Sequence, residues 1–370
     1  VNPFRYGQVV RGDDFCPRPE LVGQVATLIR SGQNVWVQGE RRVGKTSLIC
    51  EAAGGVRKRR MLYADLLEIK TSDDLCRRIV KALISLEREG GVLEKTLKSL
   101  AQLRPSISLD PLTGAPTITL DATARLSPES IDGLLDMIAR MHRRGSLVVV
   151  LDEFQDILNL GDHAEALAIL RGKIQFHGSI PYVFAGSVRS RMADIFTDPD
   201  SAFFKSATAI EVGPIDPTEF RRFIRRRFAR GRRTLVEGTL ARILAIANEV
   251  PGDVQQLCAA LWETTSHRAR ISEKNIPEAL ELIFARESKG YEAALARITG
   301  QQLRCLVGLA RMGGKAPLSK DFLRGTGIAL PASVRRALTR LVALKIVYRQ
   351  EGEYRLVNPF FGAWLVYKDF

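Results

Sequence analysis

The chain has 370 residues, 45% hydrophobic and 26% charged, with a net charge of +14. This is the composition of a folded globular protein with room for two or three domains, and it excludes a disordered or low-complexity chain. No apolar run approaches the ~20 residues that span a bilayer. The start Val1-Asn2-Pro3-Phe4 has no signal-peptide layout, and the five cysteines are scattered with no C-x-x-C pair. The expectation is a cytoplasmic protein with free thiols, no zinc and no membrane partner.

In chain order, Asn34 to Gln38 reads as a short buried strand and Thr46 to Ala53 as the start of a helix. Between them Gly39-Glu40-Arg41-Arg42-Val43-Gly44-Lys45-Thr46 fills every fixed position of the phosphate-binding pattern G-x-x-x-x-G-K-[ST]. Glycines let backbone N–H groups turn inward around phosphates, and the helix N-terminus adds favourable partial charge. Lys45 is expected on the β/γ-phosphates, Thr46 on Mg²⁺, and Gly39 through Ser47 around a bound ATP. The other reading, a Gly/Lys-rich surface turn, lacks the flanking strand and helix.

Arg60 to Asp65 predicts a second strand. Val148-Val149-Val150-Leu151-Asp152-Glu153 predicts a fully buried parallel strand ending in adjacent carboxylates. Paired with the phosphate loop, Asp152 is expected to hold the Mg²⁺ shared with Thr46, and Glu153 to orient and deprotonate an attacking water. Pro181 to Ser187 reads as a fourth strand, after a helix through Leu170 to Phe176. Its terminal Ser187 either faces the γ-phosphate or closes a plain Gly-Ser turn. Arg189 and Arg191 follow, candidates to neutralise phosphate charge within the chain or across a subunit boundary. Strands alternating with helices predict a three-layer α/β domain over 1–213, with a β-hairpin inserted at about 104–121.

From Thr218 to Arg233, Phe220, Phe223, Ile224 and Phe228 form one helical stripe, and eight arginines occupy the rest. That ridge is either a solvated face or a phosphate contact. Helices follow to residue 298, interrupted at Pro251-Gly252, and predict a helical lid over 214–298. Residues 299–370 predict three helices and then a hairpin around Glu351-Gly352, the order of a winged helix-turn-helix. Twelve cations against four acids from Gln301 to Phe370 give this module +8. On its long helix Val334, Leu338, Leu341 and Leu344 are expected inside. Ser333, Arg335, Arg336, Thr339 and Arg340 are expected outside, and with Arg355 of the wing they are candidate contacts to double-stranded DNA. Winged helices also dock proteins, so a partner protein stays open as an alternative.

Together these motifs resemble the archaeal-type P-loop ATPase family of the AAA+/STAND group, over nearly the whole chain, and more weakly the origin-recognition initiator ATPases. The resemblance extends to Asn2-Pro3-Phe4, Phe15-Cys16-Pro17-Arg18-Pro19-Glu20, Asp152-Glu153-Phe154-Gln155 and the closing Asn358 to Leu365. It implies an adenine site from Phe4, Arg18 and lid residue Pro251, and a nucleotide-dependent homo-oligomer is open. Glu249 stands where the family often has glycine, and Gln255 where initiators carry a sensor arginine. Lys205 is the remaining candidate for the arginine that follows the sensor strand. The implied function is a slowly hydrolysing, Mg²⁺-dependent ATPase switch acting through DNA; the alternative is a nucleotide-timed protein-docking switch.

Overall fold

The computed structural model describes residues 1–56, 59–90, 105–109, 116–120, 128–187, 191–350 and 352–370. They divide into two compact units, Val9–Gly213, and Pro214–Phe370 together with Val1–Gln8. The first eight residues therefore group with the helical C-terminal unit, whereas the sequence reading put them in the α/β domain.

In the α/β unit the elements are α1 (Pro19–Arg30), β1 (Val35–Gly39), α2 (Lys45–Gly54), β2 (Arg60–Asp65), α3 (Ser72–Gly90), β3 (Pro105–Leu109) and β4 (Pro116–Leu120). They continue with α4 (Pro128–Arg144), β5 (Leu147–Asp152), α5 (His163–Ile174), β6 (Tyr182–Ser187), α6 (Met192–Thr197) and β7 (Thr208–Val212). Five strands form one parallel sheet in the order β2-β5-β6-β1-β7. One apolar cluster covers the face with α3, α4 and α5, through Leu75, Ile79, Leu83, Ile131, Leu134 and Leu167. A second covers the face with α1 and α2, through Val25, Ile29, Leu48 and Ile49. The result is three layers, with β5 buried along its whole length. Each fully buried side chain of this kind contributes ~1.5–3 kcal/mol of transfer free energy. The inserted β3 and β4 pair antiparallel with each other, and the residues joining them lie outside the described ones.

Register places the strand ends that matter side by side. Gly39 at the end of β1 is level with Ser187 on β6, and Asp65 on β2 with Asp152 on β5. Strand β7, which the apolar runs of the sequence did not announce, borders β1 on the other side.

The second unit holds α7 (Pro217–Ala229), α8 (Thr239–Ile246), α9 (Pro251–Thr264), α10 (Ile276–Leu295), α11 (Gly300–Met312), α12 (Lys320–Thr326) and α13 (Pro331–Ala343). The wing strands Val347–Gln350 and Glu353–Leu356 and α14 (Pro359–Tyr367) complete it. Asp216 caps α7, its carboxylate accepting from the N–H groups of Thr218 and Glu219. Phe220, Phe223, Ile224 and Phe228 form the buried stripe as read. Two of the eight arginines depart from the surface ridge. Arg227 is 1% exposed, lies over the Phe223 ring and donates to Pro3 O. Arg233 stacks 3.8 Å above the Trp262 ring and donates to the carbonyls of Trp262, Thr265 and Ser266. On α13, Val334, Leu338 and Leu341 are buried and Arg335, Arg336, Thr339 and Arg340 exposed. Ser333, expected outside, is buried in the first turn, because the helix begins at Pro331. Glu287 of α10 joins the helical and winged parts: it accepts from Gln256 of α9, Tyr291 of its own helix and Asn358 ahead of α14.

Candidate functional site

The loop between β1 and α2 closes on itself through its lysine. Gly44 takes φ +92°, a conformation open to glycine, and turns the chain into α2. Lys45 opens that helix, is buried, and its Nζ donates to Gly39 O and Glu40 O, both at 3.0 Å. Burial pulls the ammonium below its usual range, while the carboxylates of Glu153, Asp152 and Glu40 oppose that pull. Arg41 and Arg42 are exposed at the turn, and Val43 tucks against the core.

Across from the loop, Thr46 Oγ1 donates to Asp152 Oδ2 at 2.7 Å. The two residues are 106 apart in sequence and meet because β5 lies two strands from β1 in the sheet. The hydroxyl of Tyr63 donates to the same oxygen at 2.8 Å, and Asp152 Oδ1 accepts from Glu153 N at 3.0 Å. Tyr63 thus touches the candidate site, and the sequence reading did not single it out. Burial and the Asp152 charge hold its phenol above the ordinary range, so it remains a donor. A hydroxyl and a carboxylate at the base of a phosphate loop are hard oxygen donors suited to Mg²⁺, which takes few protein ligands and completes its shell with water and phosphate oxygens. Among the described residues no cluster of three or more His, Cys, Asp or Glu forms a different metal site.

Glu153 sits just past β5 with φ +50° and ψ +40°, a left-handed conformation costing a non-glycine residue about 1 kcal/mol. Its Oε2 accepts from Gln155 Nε2 at 2.6 Å. Ser187 is buried at the end of β6, level with Gly39. Arg189 lies outside the described residues, and Arg191 is exposed, 3.4 Å from Asp194. Lys205 is exposed and lies over the Phe204 ring.

The residues implied for adenine behave differently from one another. Arg18 is buried in the α/β unit, and its guanidinium donates to Val43 O of the loop at 3.1 Å and to Gly213 O at 2.7 Å. Ser47 uses its hydroxyl to accept from Val10 N at 3.1 Å. Phe4 and Pro251 belong to the other unit. There the Phe4 ring, 3% exposed, packs against Phe228 and Trp262, and Pro251 opens α9. Gln255 accepts from Arg5 N at 3.3 Å, and Glu249 keeps φ +58°, the backbone that a glycine takes without strain.

On the winged part Arg335, Arg336 and Arg340 stand exposed on α13, while Arg355 forms a 2.6 Å ion pair with Glu353, two residues back on the same wing strand.

A family model described as "Probable winged helix domain" matches residues 289–367. A Walker-type ATPase of Pyrococcus abyssi is similar in structure, with a TM-score of 0.66 at 18% identity, covering 98% of this chain and 99% of that one. The ORC1 protein of Aeropyrum pernix, solved in complex with DNA, has a TM-score of 0.55 at 14% identity over 97% and 94% of the two chains. The ORC2 protein of the same organism, in its ADP form, gives 0.50 at 14% identity over 99% and 95%. No curated protein matches the sequence. At these identities the likeness is one of fold: this chain has the fold of AAA+ P-loop ATPases, followed by a winged helix. Among the described residues no helix is long and apolar enough to cross a membrane.

Proposed function

We propose that this chain is a slowly hydrolysing ATPase switch of the AAA+/STAND kind, whose nucleotide state governs a basic winged helix that binds duplex DNA. The observation that carries the proposal is the meeting of Thr46 Oγ1 and Asp152 Oδ2 beneath the lysine-closed loop, with Glu153 next in the chain.

Phosphates entering the loop would draw Lys45 Nζ from the carbonyls of Gly39 and Glu40 onto the β/γ-oxygens, an exchange of neutral acceptors for charged ones. Thr46 and Asp152 would hold Mg²⁺, which supplies neutralisation of phosphate charge when bound. Glu153 would take a proton from water as the water oxygen bonds to the γ-phosphorus. The bond from that phosphorus to the β,γ-bridging oxygen breaks, and ADP leaves with its electron pair. Slow turnover fits the lid, where Gln255 offers no positive charge and already accepts from Arg5 N.

DNA as the output is supported by the exposed Arg335, Arg336 and Arg340 and by the net +8 of the module. The similarly folded ORC1 protein was solved with DNA. A second reading, docking of a partner protein, draws on exposed apolar side chains of the same module, Leu330 at 61% and Val342 at 40%.

The test is an equilibrium titration with ATP and Mg²⁺. Wild type is expected to saturate, and Lys45→Ala to bind about 30-fold more weakly, the loss of one charge-assisted contact. Equal binding by the two proteins sinks the nucleotide reading.

A further inference from the structure

Gln155 lies two residues past Glu153, in the tight 3-10 turn Phe154–Asn159 behind β5, and is buried. Its Nε2 donates to Glu153 Oε2 at 2.6 Å and to Asp156 Oδ1 at 3.3 Å. Two carboxylates on one side of the amide fix which end is nitrogen. The other end, Oε1, is buried and has no hydrogen-bond partner. It is pressed against β6. A Cβ on Gly186 would stand 2.5 Å from Gln155 Oε1 and 2.5 Å from Met192 Cγ, so glycine at that position makes room for the amide beside Ser187.

This arrangement is costly for a core position. An unpartnered buried carbonyl is destabilising, and a leucine of similar size would avoid it. What the amide supplies, and leucine does not, is a fixed donor on one oxygen of a carboxylate whose own backbone is strained. Glu153 stands half-buried at the edge of the site on a flexible side chain, and among the described residues Gln155 is the one that donates to Oε2.

We propose that Gln155 is a positioning residue for Glu153: its amide pins Oε2 and thereby turns Oε1 toward the attacking water. The proposal rests on the reading of the site as an ATPase, and adds to it which neighbour aims the base.

The test compares steady-state ATP hydrolysis by the full chain as wild type, Gln155→Leu, Glu153→Gln and the double variant, with ADP affinity and thermal unfolding measured alongside. Gln155→Leu should lower kcat roughly tenfold or more, the scale of a misaimed reacting group, while KM for ATP and ADP affinity stay within about twofold. In the Glu153→Gln background the leucine should cause no further loss, because the group it aims is gone. Gln155→Glu replaces the donor with a carboxylate that repels Oε2, and should lower kcat at least as far with KM and ADP affinity again within about twofold. A wild-type kcat in Gln155→Leu overturns the proposal, and so does an equal fall in both backgrounds. If Gln155→Leu fails to fold, a wild-type kcat in folded Gln155→Glu overturns it. A wild type that hydrolyses no ATP instead removes the ATPase reading, and the proposal with it.

Discussion

At the phosphate loop, charged and polar groups are buried and locked onto one another, whereas on the winged helix Arg335, Arg336 and Arg340 stand in solvent. Thr46, Asp152, Glu153 and Gln155 form a chain of hydrogen bonds in which each group depends on the next, and Lys45 closes the loop onto Gly39 O and Glu40 O. The arginines of α13 depend on the helix for spacing and on little else. Chemistry at phosphorus needs atoms placed within tenths of an ångström, so its groups are fixed from several sides. Attraction to a polyanion needs charge density over a face, and tolerates loosely held side chains.

The sharpest way to break this contrast is at Phe4, which the family resemblance assigns to adenine and the structure places in the helical core with Phe228 and Trp262. Phe4→Ala should lower unfolding free energy by about 3 kcal/mol, as for other buried phenylalanines, and leave the ATP affinity of the folded protein unchanged. Calorimetry and ATP titration decide it. Lost ATP affinity at intact stability would return Phe4 to the nucleotide site.

A smaller effect probes the other region. Reversing Arg335 and Arg336 to glutamate should weaken duplex binding several-fold at low salt and flatten the salt dependence by about two ions, with ATP binding unchanged. Duplex affinity that ignores salt, or survives both reversals, favours the protein-docking reading of the same face.

Much of this was legible in the sequence because the responsible signals are local. Four apolar runs announced four strands of the sheet, and the glycine and lysine spacing announced the loop. Strand β7 was missed because its five residues alternate at a sheet edge, with only Ile210 and Val212 buried. Tyr63 was missed for a different reason: it lies mid-strand, and its link to Asp152 spans 89 residues through the pairing of β2 with β5. Arg227 and Arg233 were read as part of a ridge, either solvated or contacting phosphate, because their partners are distant in sequence or aromatic faces, Pro3 for one and Trp262 for the other. Gln155 stood inside the Asp152-Glu153-Phe154-Gln155 motif, but spacing alone does not show that its amide donates to Glu153 or presses on Gly186 of β6. Arg189, a candidate for phosphate neutralisation, lies outside the described residues.

The central claim, an ATPase whose base is Glu153, is tested most directly by single-turnover hydrolysis of Mg²⁺-ATP by wild type and Glu153→Gln, with ATP affinity measured on both. The account predicts slow but measurable turnover in wild type and about a hundredfold loss in Glu153→Gln at undiminished affinity. Equal rates in the two proteins would contradict it.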